Sequence, residues 1–204
     1  GCGHGVDGRD DSECRFVISR AKGLVDLARS LGSIRLAVIG DVMLDVWMEG
    51  PARRISPEAP VPVIRLQNTN PLPGGAANVA GLAAALGASA TLVGVVGDDD
   101  AATELEHVVG LERVEARLFR DKSRITTRKT RIVSGPPQGC RGDEEINEPL
   151  SAESEAVLSP MIQEVVSEVD VVVLQDYGKG TVTDQVVADV LLQASKSDVP
   201  VVVD

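Results

Sequence analysis

Short apolar runs separated by amphipathic stretches dominate the chain from residue 34 onward. Four runs rich in Val, Ile, Leu and Ala predict buried strands at 34–40, 91–97, 170–175 and 199–203. Amphipathic or helix-forming stretches predict helices at 16–31, 76–86, from the Asp98–Asp100 triplet to about 109, 151–167 and 183–194. Because strands alternate with helices, the pattern predicts an α/β fold whose parallel sheet is covered on both faces.

Two segments interrupt this alternation. Residues 46–66 contain prolines that exclude a helix, with short extended pieces between them, and predict a small β flap that leaves the main body. Residues 117–133 alternate in character and favour strand, and a turn follows at 134–139. The Lys and Arg residues of this second segment are typical of solvated strand edges, which explains most of these charges.

The stretch from Pro71 to Ala80 combines prolines, glycines and helix-forming residues. We expect the prolines to end the preceding segment and Gly87 to end the helix. Gly74 and Gly75 let the backbone approach something bulky and leave helix amides exposed to an oxygen-rich ligand. Asn78 lies in the first turn, where its amide can bond to hydroxyl groups. A tight strand-to-helix connection is an equally good interpretation of this stretch alone.

Polar residues also follow the predicted buried strands. Asp41 and Asp45 follow the first of these strands, and Asp176 and Lys179 follow the third. Ligands of parallel α/β sheets bind at the carboxyl ends of the strands, so we expect these residues and the glycine turn to gather at one site. The Asp98–Asp100 triplet is better explained as a helix cap than as a metal site.

The composition and net charge of the chain argue against some classes of function. The chain has 204 residues, 43% of them hydrophobic but only 2% aromatic, so Val, Leu, Ile and Ala must form the core. Its formal net charge of −11 argues against a nucleic-acid partner. No apolar run approaches membrane-spanning length, and no signal peptide is recognisable. Three widely spaced cysteines indicate a reduced, cytoplasmic setting, with no membrane partner.

Residues 34–204 resemble the ribokinase-type (PfkB) sugar kinases. The resemblance lies in three stretches, which are Gly40–Asp45, Arg54–Val63 and Pro73–Ala80. The Ser-Pro-Glu-Ala-Pro-Val-Pro run inside the second stretch is specific to the subgroup that acts on D-glycero-β-D-manno-heptose 7-phosphate. The Asp-Tyr-Gly-Lys-Gly sequence at 176–180 also resembles an element of that subgroup.

This resemblance implies a fold and a reaction. The fold would be a ribokinase-like three-layer αβα parallel sheet, with a β lid formed by residues 46–66 and 117–143. The reaction would transfer phosphate from ATP, with Mg²⁺ on the nucleotide, to the anomeric hydroxyl of the heptose 7-phosphate. Lids of this kind often mediate dimers, which makes a homodimer through the lid a further expectation. Residues 33–204 would be the kinase part, preceded by an extension with a helix at 1–32.

The resemblance also assigns roles to individual residues. Asp45 would accept hydrogen bonds from sugar hydroxyls, and Arg141 would meet the substrate or its phosphate. The substrate-binding set that it implies is Asp41, Asp45, Gly74, Gly75, Asn78, Arg141 and Asp143, with Asp176 and Lys179 near the phosphates.

The family's Gly-Ala-Gly-Asp turn, which supplies the anion hole and the catalytic base, is expected beyond Asp204. Most of the ATP site is expected there too. The sequence is therefore expected to be a C-terminally truncated kinase that does not turn over alone. Two alternatives stay open: a non-catalytic module that binds sugar phosphates or dimerises, and a PfkB kinase for another sugar.

Overall fold

The computed structural model describes residues 31–135 and 138–204. The predicted helix at 16–31 lies outside these residues except for its last position. Cys2, Cys14 and two residues of the predicted turn at 134–139 also lie outside them. In chain order the elements are β1 (Arg35–Gly40), β2 (Val42–Glu49), β3 (Ala52–Ile55), β4 (Pro62–Ile64), β5 (Asn68–Gly75), α1 (Ala76–Ala85), β6 (Ser89–Gly97), α2 (Asp100–Leu111), β7 (Glu115–Asp121), β8 (Arg128–Val133), β9 (Gln138–Glu144), α3 (Ala152–Glu168), β10 (Val171–Gln175), α4 (Asp184–Ser197) and β11 (Val201–Val203).

The central sheet has five parallel strands in the order β11-β10-β1-β6-β7. Every residue of β1 after Arg35 is buried, as expected of a parallel strand that is covered on both faces. Val38 packs in one cluster with α1 and α2, whereas Ala37 and Ile39 pack in another with α3 and α4. The predicted α/β fold with helices on both faces of a parallel sheet is therefore confirmed.

A second sheet, here called the lid sheet, has four strands in the order β5-β2-β8-β9, and β3 and β4 form a separate hairpin beside it. Strand β2 pairs antiparallel with β5 and parallel with β8, which pairs antiparallel with β9. The limits of this sheet differ from the predicted lid segments. It begins at Val42, immediately after Asp41, and residues 117–121 belong to β7 of the central sheet.

The prediction that Pro71 and Pro73 end the preceding segment is wrong, because β5 runs through both residues to Gly75. Strand β5 is an edge strand that pairs only with β2. Proline lacks an N–H group, so an edge strand can carry it where that group would face outward. The predicted end of the following helix is confirmed, since Gly87 has φ 103° and donates to the Ala84 carbonyl.

Side chains cap three of the four helices described after residue 31. Asp99 accepts a hydrogen bond from the Ala102 amide at the start of α2, which confirms the capping interpretation of the Asp98–Asp100 triplet. Ser151 caps α3 and Thr183 caps α4 in the same way. Asp99 and Thr183 fix the loops that follow β6 and β10 of the central sheet, and Ser151 fixes the loop that follows β9.

Candidate functional site

One face of the lid sheet carries charged side chains from three adjacent strands. Successive side chains of a strand point to opposite faces, and Leu44 and Val46 of β2 are buried in the core. Asp45 and Trp47 therefore lie on the other face. The register places Lys129 and Arg131 beside them, and then Asp143 and Arg141. We call this set, together with Gly74 of β5, the polar face.

Two ion pairs organise the polar face. Arg131 Nη1 lies 2.5 Å from Asp45 Oδ1, and the Arg131 guanidinium lies 5.2 Å from the centroid of the Trp47 ring. Arg141 makes a bidentate contact with Asp143, through Nε at 2.7 Å and Nη2 at 2.5 Å. The hydrogen bonds from Arg141 hold the pKa of the Asp143 carboxyl below its usual range, and they raise the pKa of Arg141. Four predicted site residues, Asp45, Gly74, Arg141 and Asp143, are thus brought together.

The glycine pair meets the chain's own atoms. A Cβ added to Gly74 would lie 2.8 Å from both Asp45 Oδ2 and Met43 Cγ, and one added to Gly75 would lie 2.4 Å from the Asp41 carbonyl oxygen. Gly75 also has φ 57° and ψ −133°, a conformation that favours glycine. The interpretation as a tight strand-to-helix connection is confirmed, and the group that approaches the Gly74 backbone is the Asp45 carboxylate. Contact between the two glycines and a ligand stays a prediction.

Asp41 is buried and holds the Asp-Tyr-Gly-Lys-Gly loop in place. Its carboxylate accepts backbone hydrogen bonds from Tyr177 at 2.9 Å, Lys179 at 2.9 Å and Thr181 at 3.0 Å. This arrangement gives Asp41 a positioning role, since three amides already use its two oxygens. Direct contact between Asp41 and a substrate stays a prediction.

Lys179 joins this loop to the segment that follows β9. Its Nζ lies 2.9 Å from Glu145 Oε1 and 3.0 Å from Asn147 Oδ1. Within the described residues, Glu145 Oε2 is buried and has no hydrogen-bond partner. Asp176 is exposed and accepts a hydrogen bond from the Gly178 amide. Lys179 therefore lies in a polar cluster, and its predicted position near phosphates stays a prediction.

Asn78 lies apart from the ion pairs described above. It is exposed on α1 and borders an open cavity of about 450 Å³, which is also lined by residues 81, 82, 84, 85 and 111–113. No hydrogen bond fixes its amide among the described residues. Its role as a sugar ligand stays a prediction.

Lys129, Arg131, Trp47 and Glu145 were not among the predicted site residues. Lys129 and Arg131 alternate along β8, as Asp45 and Trp47 do along β2, so the period of two was visible in the sequence. The sequence pattern explains most of the charges of 117–133 as those of solvated strand edges, but β8 lies between β2 and β9 and is an interior strand of the lid sheet. The local sequence does not show that β8 is in the interior of the lid sheet, and this position is what places Lys129 and Arg131 beside Asp45 and Trp47.

In residues 31–135 and 138–204, no group of three His, Cys, Asp or Glu side chains is arranged to hold a metal ion. Over the same residues, no helix has both the length and the apolar composition required to cross a membrane.

Sequence comparisons identify relatives along most of the chain. Residues 33–204 match the profile of the pfkB family carbohydrate kinases. The "Bifunctional protein HldE" of Azorhizobium caulinodans is 44% identical over 173 residues, which are 83% of this chain and 36% of that protein. The protein of the same name from Pseudomonas aeruginosa is 45% identical over 168 residues, 82% of this chain and 34% of that protein. The chain spans about a third of the length of these curated relatives.

Solved structures share the fold at lower identity. The tetrameric inhibited form of phosphofructokinase-2 from Escherichia coli superimposes with a TM-score of 0.64 at 21% identity, over 84% of this chain and 54% of that one. Arabidopsis thaliana ribokinase complexed with ribose and ATP gives a TM-score of 0.52 at 20% identity, over 84% of this chain and 53% of that one. These similarities confirm the predicted ribokinase-like α/β fold.

Proposed function

The chain belongs to the pfkB family of carbohydrate kinases, and we propose that it carries the acceptor-sugar site of an ATP-dependent kinase for a heptose 7-phosphate. The reaction would transfer a phosphoryl group to the anomeric hydroxyl of the sugar and yield a 1,7-bisphosphate. The HldE relatives and the Ser-Pro-Glu-Ala-Pro-Val-Pro run at 56–62 support the heptose among pfkB substrates.

The polar face is the observation that carries this proposal. Carboxylates such as Asp45 and Asp143 accept hydrogen bonds from sugar hydroxyls, while guanidinium groups pair with phosphate oxygens. The face supplies both kinds of group on three adjacent strands of one sheet. If the wrong sugar leaves one of these groups without a partner, the binding free energy is weakened by roughly 1–3 kcal/mol for each missing hydrogen bond. This arrangement can therefore discriminate among sugars.

The residues at the central strand ends would complete the site. Asp41 would hold the 177–181 loop, Lys179 would lie near the phosphates with Asp176, and Gly75 and Asn78 would contact the sugar. The lid sheet would exclude water, which could otherwise accept the phosphoryl group in place of the sugar. Phosphoryl transfer depends mainly on such positioning and on charge stabilisation.

ATP and Mg²⁺ belong to the proposal as donor and accompanying ion. Among the described residues, no group of three or more His, Cys, Asp or Glu side chains is arranged to hold a metal ion. The steps assigned to this chain are the binding and orientation of the sugar. A cytoplasmic setting and a homodimer formed through the lid sheet are further parts of the proposal.

Calorimetry tests the choice of substrate. The full chain should bind D-glycero-β-D-manno-heptose 7-phosphate more tightly than fructose 6-phosphate or adenosine. Asp45→Asn should weaken binding of the heptose by about tenfold or more, because a sugar hydroxyl loses a charged acceptor. Asp100→Asn on α2 is the matched control and should bind like the unmodified chain.

Two outcomes would overturn parts of the proposal. Tighter binding of fructose 6-phosphate would assign the chain to a different sugar. A gene product that includes the Gly-Ala-Gly-Asp turn expected beyond Asp204, and that binds the heptose without forming bisphosphate from ATP and Mg²⁺, would favour a non-catalytic sugar-phosphate-binding module.

A further inference from the structure

The larger apolar side chains of α1 point away from the core. The residues that the helix buries are small, namely Ala76, Ala77, Ala80 and Gly81. Leu82 and Leu86, one turn apart at the end of the helix, are 58% and 57% exposed. A surface helix normally turns its larger apolar side chains inward and charged ones outward, but the chain has no charged residue between Arg65 and Asp98. The outward face of α1 is therefore an apolar surface that no described residue covers.

This surface continues across a groove to the end of α2. The groove is the cavity of about 450 Å³ described above, and its apolar lining consists of Leu82, Ala84, Ala85 and Leu111. Leu111 of α2 is 70% exposed. Gly81 leaves room at the floor of the groove for the Glu112 carboxylate, which occupies the space that a Cβ would take. We call Leu82, Leu86 and Leu111 with this cavity the leucine groove. Contiguous exposed apolar surface of this kind marks a docking site.

The chain itself contains a segment with a matching apolar stripe. Residues 16–31, here called the N-terminal segment, predict a helix in which apolar residues recur at alternating intervals of four and three, as Val17, Ala21, Leu24, Ala28 and Leu31. Lys22, Asp26 and Arg29 fall on the opposite face of such a helix. A helix of this length is only marginally stable in water until its apolar face packs against another element. The segment therefore needs an apolar surface on which to pack.

The N-terminal segment enters the described structure beside the end of α1. The Ile34 carbonyl accepts a hydrogen bond from the Ser89 amide at 2.9 Å, and a Cβ added to Gly87 would lie 3.5 Å from Gly32 Cα. The segment thus ends next to Leu86. A helix over 16–31 is about 24 Å long and α1 is about 15 Å long, so the segment can lie along the whole exposed face. Covalent attachment gives it an effective concentration of about millimolar or more, which favours it over a second molecule.

The charge of the segment also favours it as the occupant of the groove. It contains one acidic residue and three basic residues, which are Arg20, Lys22 and Arg29, whereas the whole chain has a net charge of −11. The rest of the chain is therefore strongly acidic and attracts the segment. A second copy of the chain would instead bring the same negative net charge to this face.

We propose that residues 16–31 form an amphipathic helix that docks on the leucine groove. Leu31 would lie beside Leu86, and Leu24 would lie beside Leu82. The docked segment would cover the outward face of α1, the helix that follows directly from the Gly74–Gly75 turn. This inference does not depend on the substrate or the activity of the chain.

Limited proteolysis of the full chain with trypsin tests the docking. Trypsin cleaves after Arg20, Lys22 and Arg29, and a docked helix resists cleavage until it opens. Leu82→Glu should accelerate cleavage at these three sites about tenfold or more, because a charge in the apolar contact raises the population of the undocked segment. Leu24→Glu should have the same effect from the other side of the contact. Leu192→Glu is the matched control, since Leu192 of α4 is also 58% exposed but lies on the opposite side of the central sheet.

A double variant shows whether the two leucines belong to one contact. Once Leu24→Glu has undocked the segment, Leu82→Glu has no further contact to break. Cleavage in the double variant should therefore be about as fast as in either single variant, whereas independent effects would multiply. Hydrogen exchange at the amides of residues 20–29 should follow the same order as cleavage.

Four results would overturn the proposal. The first is cleavage of the unmodified chain as fast as that of Leu24→Glu, and the second is slow cleavage that neither Leu24→Glu nor Leu82→Glu changes. The third is an equal acceleration in Leu192→Glu. The fourth is the loss of a dimer in Leu82→Glu, seen by sedimentation velocity without faster cleavage, which would assign the groove to a second copy of the chain. If Leu82→Glu does not fold, Leu24→Glu decides, because it leaves α1 unchanged.

Discussion

At the scale of single residues, Asp41 makes the strongest stability prediction. Its buried carboxylate accepts three backbone N–H groups from the 177–181 loop. Asp41→Asn replaces one acceptor oxygen by a donor that faces an N–H group. The free energy of unfolding should therefore fall by roughly 1–3 kcal/mol, as measured by urea denaturation.

Asp176→Asn is the matched control for Asp41→Asn. Asp176 is exposed and accepts one local hydrogen bond, so its replacement should cost less than about 1 kcal/mol. Hydrogen exchange should show faster exchange at Tyr177, Lys179 and Thr181 in Asp41→Asn alone. Equal losses in the two variants would contradict the positioning role of Asp41.

Asp41 also shows where prediction from sequence stops. The rule that parallel sheets gather polar groups at their carboxyl ends located the residue correctly. The rule does not say whether a carboxylate there faces a ligand or a backbone loop. For Asp41 that depends on amides about 136–140 residues away in sequence, which no local pattern reveals.

At the scale of secondary structure, Gly74 is the residue on which the pairing of β5 with β2 depends. A Cβ at this position would contact Asp45 Oδ2 and Met43 Cγ at 2.8 Å. Gly74→Ala should therefore displace Asp45, with a loss of about 1–3 kcal/mol in unfolding free energy and weaker binding of the heptose 7-phosphate. Thermal and urea denaturation, together with calorimetry, measure the two effects.

Gly142→Ala provides the strand-glycine control. Gly142 lies in β9 of the same sheet, and a Cβ there would have no atom within 4 Å. Its replacement should be neutral or should stabilise the chain by up to about 1 kcal/mol, because alanine has less conformational freedom when unfolded. If Gly74→Ala behaves in the same way, Asp45 does not depend on the close approach of the glycine.

The secondary structure was predictable to different degrees in the two sheets. Uniformly apolar runs predicted β1, β6 and β10, because parallel strands that are buried on both faces need them. The run at β11 also predicted a strand, but β11 is at the edge of the central sheet, where Val202 and Val203 are exposed. The lid-sheet strands have mixed composition, and their assignment depends on partners distant in sequence, as when Trp47 lies beside Arg131. The pairing of Arg131 with Arg141 depends on the register between β8 and β9 and could not be predicted from local sequence.

At the scale of the whole molecule, partly or fully buried polar residues fix the places where the chain passes between the two sheets. Asp99 accepts hydrogen bonds from the Thr126 amide and hydroxyl, just before the chain enters β8. Arg124 donates to the carbonyls of Glu148 and Lys179, which joins the return from β9 to the 177–181 loop. Together with Asp41, these residues set the position of the polar face relative to the central strand ends.

The junction at Asp99 predicts a dependence of stability on pH. Burial alone would raise the pKa of the Asp99 carboxyl, but hydrogen bonds from Thr126 and Ala102 hold it below its ordinary value. A lowered pKa in the folded state contributes stability that is present above the unfolded pKa of about 3.9 and is lost as the pH falls through the folded pKa.

The side chain of Asp99→Asn cannot ionise. The free energy of unfolding of this variant should therefore fall furthest below that of the unmodified chain near pH 7, and the difference should shrink below about pH 4. Asp100→Asn, on the same helix turn but exposed, should show no such convergence in urea denaturation across this range. A deficit in Asp99→Asn that stays constant with pH would mean that the charge of Asp99 does not stabilise the junction, and that its hydrogen bonds act only through their geometry.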